Sequence, residues 1–146
     1  MNIAEQIDQA LTTLLPGHLG IKIEAASPDE VVGTLTVEER LCTVGGILHG
    51  GSIMALADTL GGIGAFLNLP PDTRTTTVES KTNFLRPAKI GMKITGTSRL
   101  LNKSRNLTLW QTEIRDPDGK LLALVTQSQM AVPLSTNRDL QNSKGG

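Results

Sequence analysis

One carboxylate stands alone in this chain's most apolar stretch. Asp58 is the only formally charged residue between Arg40 and Asp72, and it sits in His49-Gly-Gly-Ser-Ile-Met-Ala-Leu-Ala-Asp58-Thr-Leu-Gly-Gly-Ile-Gly-Ala-Phe-Leu67. A carboxylate in such surroundings is expected to be largely buried, at a cost of several kcal/mol unless compensated. That cost makes Asp58 the first candidate for chemistry, with a structural partnership to an arginine or a backbone amide as the alternative. His49-Gly50-Gly51 precedes the run. Two glycines at a helix start leave the first N–H groups bare, a donor site for an anion or a polarised carbonyl oxygen. The alternative is a plain tight turn, with His49 capping it through a side-chain bond to backbone.

Other chemistries are excluded. If residues 50–68 form a helix, His49 and Asp58 are nine positions apart and point to opposite sides, so Ser52, His49 and Asp58 cannot form a hydrolase triad in one chain. One cysteine, Cys42, and two histidines, His18 and His49, cannot build a usual Cys/His zinc site, and no metal is expected. The single cysteine also rules out an intrachain disulfide and fits a reducing cytoplasm. Aromatics at 2% and zero formal net charge argue against nucleic acid or an anionic membrane as partner. The apolar run is nearly long enough to span a bilayer, but its central Asp, its glycines and the absence of flanking positive clusters argue against that. The N-terminus has no positive segment before an apolar stretch, so no signal peptide is expected.

Charge is unevenly placed. Between Arg74 and Arg105 lie eight basic residues (Arg74, Lys81, Arg86, Lys89, Lys93, Arg99, Lys103, Arg105) and one acidic residue, Glu79. These are either solvated strand faces or an anion site suited to phosphates. Asn102-Lys-Ser-Arg-Asn106 joins two predicted strands and reads as a solvated hairpin or a phosphate clamp.

The elements that must position these groups follow from periodicity. Apolar Ile3, Ile7, Ala10, Leu11 and Leu14 predict an amphipathic helix over 3–14, stopped by Pro16-Gly17. Alternation over 21–25 and 30–37, with a turn at Ser27-Pro28-Asp29, predicts an antiparallel strand pair. Residues 50–68 predict a helix of nearly 20 residues, buried on most sides, with Gly51, Met54, Ala55, Asp58, Gly62 and Ala65 sharing a small-residue face that something can approach closely. Four strands follow, over 75–84, 92–100, 106–115 and 121–132, the last two joined by the strong turn signal Asp116-Pro-Asp-Gly119. The chain of 146 residues suits one domain over 1–134, with a polar disordered tail over 135–146. A sheet wrapped round one central helix is the natural α+β solution.

At this level the residues match a known pattern. Gly46-Ile-Leu-His-Gly-Gly51 with Asp58 following resembles the signature of hotdog-fold acyl-CoA thioesterases, and more narrowly the branch of the phenylacetate-pathway (PaaI-like) and hydroxybenzoyl-CoA thioesterases. Thr75-Thr-Thr-Val and Thr82-Asn-Phe-Leu-Arg-Pro-Ala-Lys89 resemble the family's next strand, and Trp110-Gln-Thr-Glu-Ile-Arg-Asp-Pro-Asp-Gly-Lys-Leu121 resembles its last hairpin; together the likeness spans roughly 15–132.

The resemblance implies roles. The Gly50 N–H would polarise the thioester carbonyl, Asp58 would be general base or nucleophile, His49 would position the carbonyl or the turn, and Thr77 would orient the water or the carboxylate. Substrate and CoA contacts would come from Gly51, Gly62, Arg86, Pro87, Lys89, Asn102, Lys103 and Arg105, with no further cofactor. The resemblance implies a site between subunits, which fits Asp58 lying about 12 Å along the helix from Gly50. A dimer at least is needed for the chemistry, and a homotetramer of paired dimers is expected. Two positions depart from the pattern. Thr43 stands where the family usually has Asn or Gln, which unsettles the water-positioning scheme, and Gly62 stands where one branch has Ser or Thr. The expected activity is hydrolysis of an acyl-CoA, aryl or medium-chain. An acyl-carrier-protein thioesterase and a non-catalytic acyl-CoA binder are the alternatives, and a hotdog dehydratase fits less well.

Overall fold

A computed structural model describes residues 1–135; the expected disordered tail lies outside the described residues apart from Ser135. Helix α1 (Ile3–Leu11) opens on a reciprocal cap in which Asn2 and Glu5 each bond the other's backbone N–H. The helix predicted over 3–14 ends at Leu11, before the proline expected to stop it. A second short helix, α2 (Leu15–Leu19), carries Pro16 in its first turn. Proline there gives up only an N–H that the first turn leaves unused, so Pro16 starts a helix instead of stopping one.

Strands β1 (Lys22–Ala26) and β2 (Glu30–Thr36) form the first hairpin, and a short 3-10 turn (Glu39–Leu41) leads toward the long helix α3 (Gly50–Phe66). Strands β3 (Thr73–Phe84), β4 (Lys93–Lys103), β5 (Leu107–Arg115) and β6 (Leu121–Pro133) complete one antiparallel sheet in the order β1-β2-β4-β5-β6-β3. The α+β class, the central helix and the six strands are as expected. The turn at Asp116 forms with Gly119 at φ 82°, and the Asp116 carboxylate accepts from the N–H groups of Asp118 and Lys120.

The core lies between α3 and the sheet. Leu56, Ala57 and Leu60 of the helix are fully buried against Leu35, Ile94, Ile114 and Val125. Two helix glycines let the sheet come close. A Cβ at Gly64 would lie 2.3 Å from the ring of buried Trp110, and one at Gly61 would lie 2.5 Å from the amide carbon of Gln127. The helix is less enclosed than expected: Gly51, Met54 and Asp58 are exposed and Ala55 and Gly62 are half-buried, so only Ala65 of the predicted small-residue face is buried. A single sheet covers one side of a helix, and nothing else among the described residues covers this stripe. Among the described residues no helix is long and apolar enough to cross a membrane.

Candidate active site

The N-terminus of α3 supplies the donor. His49 is the N-cap, with extended backbone (φ −61°, ψ 137°), and its Nδ1 accepts from the Gly51 N–H at 2.7 Å. This capping role is what the histidine does in the folded chain, and it consumes one of the two amides expected to be bare. The Gly50 N–H has no acceptor among the described residues. It borders a concavity of about 380 Å³ lined by Ile47, Leu48, Ile53, Phe84, Leu85, Arg86, Pro87 and Ala88. The Phe84 ring closes over Gly50 so tightly that a Cβ there would lie 3.0 Å from Cε1. Arg86 and Pro87 are thus brought beside Gly50, and the backbone of Lys89 pairs with Ile47 on the neighbouring loop.

Asp58 projects from the uncovered stripe. Its expected burial is not met within one chain: it sits at the margin of the face that packs on the sheet, where it touches β3 and β6 but stays exposed. It is nevertheless held. Oδ1 accepts from the Thr77 hydroxyl at 2.7 Å and from Gln127 Nε2 at 3.3 Å. Thr77 therefore meets Asp58, as its expected orienting role requires. Gly62 lies beside Asp58 with open space where a side chain would be, and both border an apolar concavity of about 360 Å³ between α3 and the N-terminal helices, walled by Ile7, Ala10, Leu11, Pro16, Ile63 and Phe66. A second hollow on the other side of Asp58 is lined by Met54, Ala55, Thr77 and Ser80.

A bulge aims β3 at this carboxylate. Thr77 pairs with Gln129 but Glu79 pairs with Ser128, so Val78 is an extra residue. One inserted residue exchanges the two faces of a strand. Thr75 and Thr77 face the helix before the bulge; after it the Oγ atoms of Ser80 and Thr82 are buried. Without the bulge, Glu79 and Lys81 would turn toward Asp58.

Other expected site residues are placed elsewhere. Thr43 is exposed and its hydroxyl donates to the Val44 carbonyl at 3.0 Å, so it makes no bond to Asp58. Lys103 and Arg105 border a small hollow with Asn68, Leu69 and Pro70 just past the C-terminus of α3, and Lys103 donates to the Asn68 side chain at 3.2 Å. With α3 spanning 17 residues, or about 25 Å, one chain does not gather Arg86 and Lys89 with Asn102, Lys103 and Arg105 into a single clamp. Of the eight cations, Lys93 and Arg99 pair with Glu24 and Glu30, whereas Arg86, Lys89, Lys103 and Arg105 form no ion pair among the described residues.

Sequence reasoning missed Gln127 and Gln129, both almost wholly buried on β6. The signal was present: they continue the alternation of the core residues Ala123 and Val125, which sets two amides on an apolar face. It also missed Phe84, whose approach to Gly50 joins distant segments. Among the described residues no three His, Cys, Asp or Glu side chains gather to hold a metal ion.

The arrangement offers a bare amide donor and a held carboxylate on one helix, each beside its own cavity. Comparisons with known proteins place the chain in a family. Residues 45–123 match the thioesterase superfamily. A 1,4-dihydroxy-2-naphthoyl-CoA hydrolase of Escherichia coli is 30% identical over 105 residues, covering 72% of this chain and 76% of that protein. The crystal structure of a thioesterase from Haemophilus influenzae superposes with a TM-score of 0.85 at 30% identity, covering 94% of this chain and 95% of that one. The PaaI protein of the phenylacetic acid degradation operon of Escherichia coli shares the fold, with a TM-score of 0.79 at 23% identity over 88% of this chain and 93% of that one. The central helix and the antiparallel sheet around it are therefore those of a hotdog fold, and the chain belongs to the thioesterase superfamily.

Proposed function

We propose that this thioester hydrolase cleaves an acyl-CoA, aryl or medium-chain, to the free acid and CoA, in a site built by two copies of the chain. The observation that carries the proposal is the Gly50 N–H, which opens a 17-residue helix without an acceptor among the described residues. It sits about 12 Å along that helix from Asp58 by the helical rise. One thioester carbonyl cannot touch both groups in one chain. A second copy that sets its Gly50 amide opposite the first copy's Asp58 can supply both. Two features support such pairing: among the described residues the 12-residue strand β3 ends the sheet with one edge unpaired, and the stripe bearing Asp58 is uncovered beside it. Exposed strand edges and small-residue helix faces are surfaces that a second chain can cover. Paired dimers would complete the assembly.

In the reaction the Gly50 amide of one copy holds the carbonyl oxygen as it gains negative charge. The Asp58 carboxylate of the other copy removes a proton from water as the water oxygen bonds to the carbonyl carbon. Collapse of the adduct breaks the C–S bond, and the CoA thiolate takes up the proton. In the nucleophilic variant Asp58 bonds the carbon itself, expels CoA and forms a mixed anhydride that water then opens. Oδ1 is engaged by Thr77 and Gln127, which leaves Oδ2 to react in either route. The apolar cavity beside Asp58 and Gly62, about 360 Å³, is within the size of ordinary ligand pockets and suits the acyl group. The cations Arg86, Lys89, Lys103 and Arg105, contributed by both copies, suit the phosphates of CoA.

Thiol release from a panel of acyl-CoAs, compared with acyl carrier protein thioesters, tests the reading. Asp58→Asn should lower kcat by about 10²–10⁴-fold while still binding acyl-CoA. Absence of turnover by the unaltered protein, with acyl-CoA binding intact, would establish a binder instead of an enzyme.

A further inference from the structure

We propose that Gln129 and Gln127 are positioning residues that set which oxygen of Asp58 reacts; the inference rests on Asp58 being the reacting carboxylate. Both amides are almost wholly buried, at 2% and 1% exposure, on a strand otherwise apolar on that face. Buried amides remain where their hydrogen bonds hold them. Here the bonds run in one direction. The Thr75 hydroxyl donates to Gln129 Oε1 at 3.0 Å. Gln129 Nε2 donates to Thr77 Oγ1 at 2.7 Å. Thr77 Oγ1 donates to Asp58 Oδ1 at 2.7 Å.

The order is imposed from both ends. An ionised carboxylate only accepts, so the Thr77 hydrogen must point at Asp58. The Thr77 oxygen then needs a donor from its other neighbour, which requires Gln129 to present Nε2. Its Oε1 is thereby turned to Thr75. Were the amide reversed, Oε1 would compete with Asp58 for the single hydroxyl hydrogen of Thr77.

Gln127 adds the second hold on Oδ1, at 3.3 Å. Its own Oε1 is buried without a partner, as is the Oγ of Ser80, its register neighbour on β3. Gly61 leaves the room that Gln127 occupies, since a Cβ there would lie 2.5–2.7 Å from the Gln127 amide atoms. Two donors thus fix Oδ1, and Oδ2 accepts no hydrogen bond among the described residues. The proton or the new bond goes to Oδ2, with the carboxylate plane set by β3 and β6.

The test combines kinetics with crystallography on the full-length protein. Gln129→Met keeps the side chain's length and removes its amide. For the best CoA thioester its kcat should fall about tenfold, roughly one neutral hydrogen bond's worth of transition-state alignment, with KM within about twofold. The double variant Gln129→Met/Thr77→Val should be no slower than Thr77→Val alone, because both act through one contact. The crystal structure of Gln129→Met should show Asp58 in more than one rotamer, away from Thr77. Thr75→Val reads the same relay from its far end, should Gln129→Met fail to fold, and should also lower kcat with little change in KM. A folded Gln129→Met with unaltered kcat, multiplicative losses in the double variant, or an undisturbed Asp58–Thr77 contact each overturns the proposal. If the unaltered protein hydrolyses no CoA thioester, the proposed function fails, and the position of Asp58 in the variant crystal still decides on the relay.

Discussion

Gly50→Pro isolates the backbone donor that the mechanism needs. Proline has no N–H, so the substitution deletes the proposed carbonyl contact, and the fold is already shaped to accept it. Gly50 is the first residue of α3, the helical position that proline favours. His49 before it has φ −61° and ψ 137°, and this ψ lies in the extended range that a residue preceding proline requires. The Gly50 N–H bonds nothing among the described residues, so no intramolecular hydrogen bond is lost. The steric cost falls on Phe84, whose ring atoms lie 3.0 and 3.1 Å from an added Cβ. That ring is 54% exposed and can move aside, at about 0.5–1.5 kcal/mol for an off-rotamer side chain. Loss of chain entropy in the unfolded state returns about 0.4–1 kcal/mol. The net stability change is therefore within about 1 kcal/mol. Losing one oxyanion donor lowers kcat by about 10²–10³-fold. Gly50→Ala is the control, since it adds the same Cβ and keeps the N–H. Kinetics of thiol release from a CoA thioester, with thermal unfolding of each variant, separates donor from bulk. A folded Gly50→Pro whose kcat lies within about threefold of Gly50→Ala would refute the assignment of this amide to the carbonyl, given the 10²–10³-fold expected of such a donor.

Further predictions address the cavities, the cations and the packing. Ala10→Phe projects a ring into the apolar cavity that Ala10 shares with Gly62 and Phe66; the ratio of kcat/KM for medium-chain over acetyl-CoA should drop about tenfold or more, measured across a chain-length series. Replacing Lys103 and Arg105 by alanine should raise KM about tenfold for a CoA thioester, less so at high salt, and leave a pantetheine thioester, which has no nucleotide, unaffected. Gly64→Ala places a Cβ 2.3 Å from the buried Trp110 ring. Overpacking of about 1–3 kcal/mol should exceed the roughly 1 kcal/mol of helix propensity gained, so calorimetry should show Tm lowered by a few degrees.

Features that depend on neighbours along the chain were legible in the sequence. The lone charge of Asp58, the glycines at the start of α3 and the alternation of the six strands are all readable because helix and strand periods are local. They were enough for the α+β architecture and for naming Gly50 and Asp58 as the candidate donor and acid. Pro16 misled because the same residue can end one helix or begin the next, and which occurs depends on how the following turn packs. Tertiary structure alone decided the rest. The sheet order makes β3 an edge, the single extra residue at Val78 turns Ser80 and Thr82 toward the side that Thr77 already faces, and β6 brings Gln127 and Gln129 up beneath Asp58. Phe84 reaches Gly50 across 34 residues of chain. A sheet can cover only one side of α3, so the charge expected in the interior lies instead on the stripe left bare. Register and coverage arise from contacts between segments far apart in the chain, and a residue pattern with a period of two or 3.6 carries no information about them.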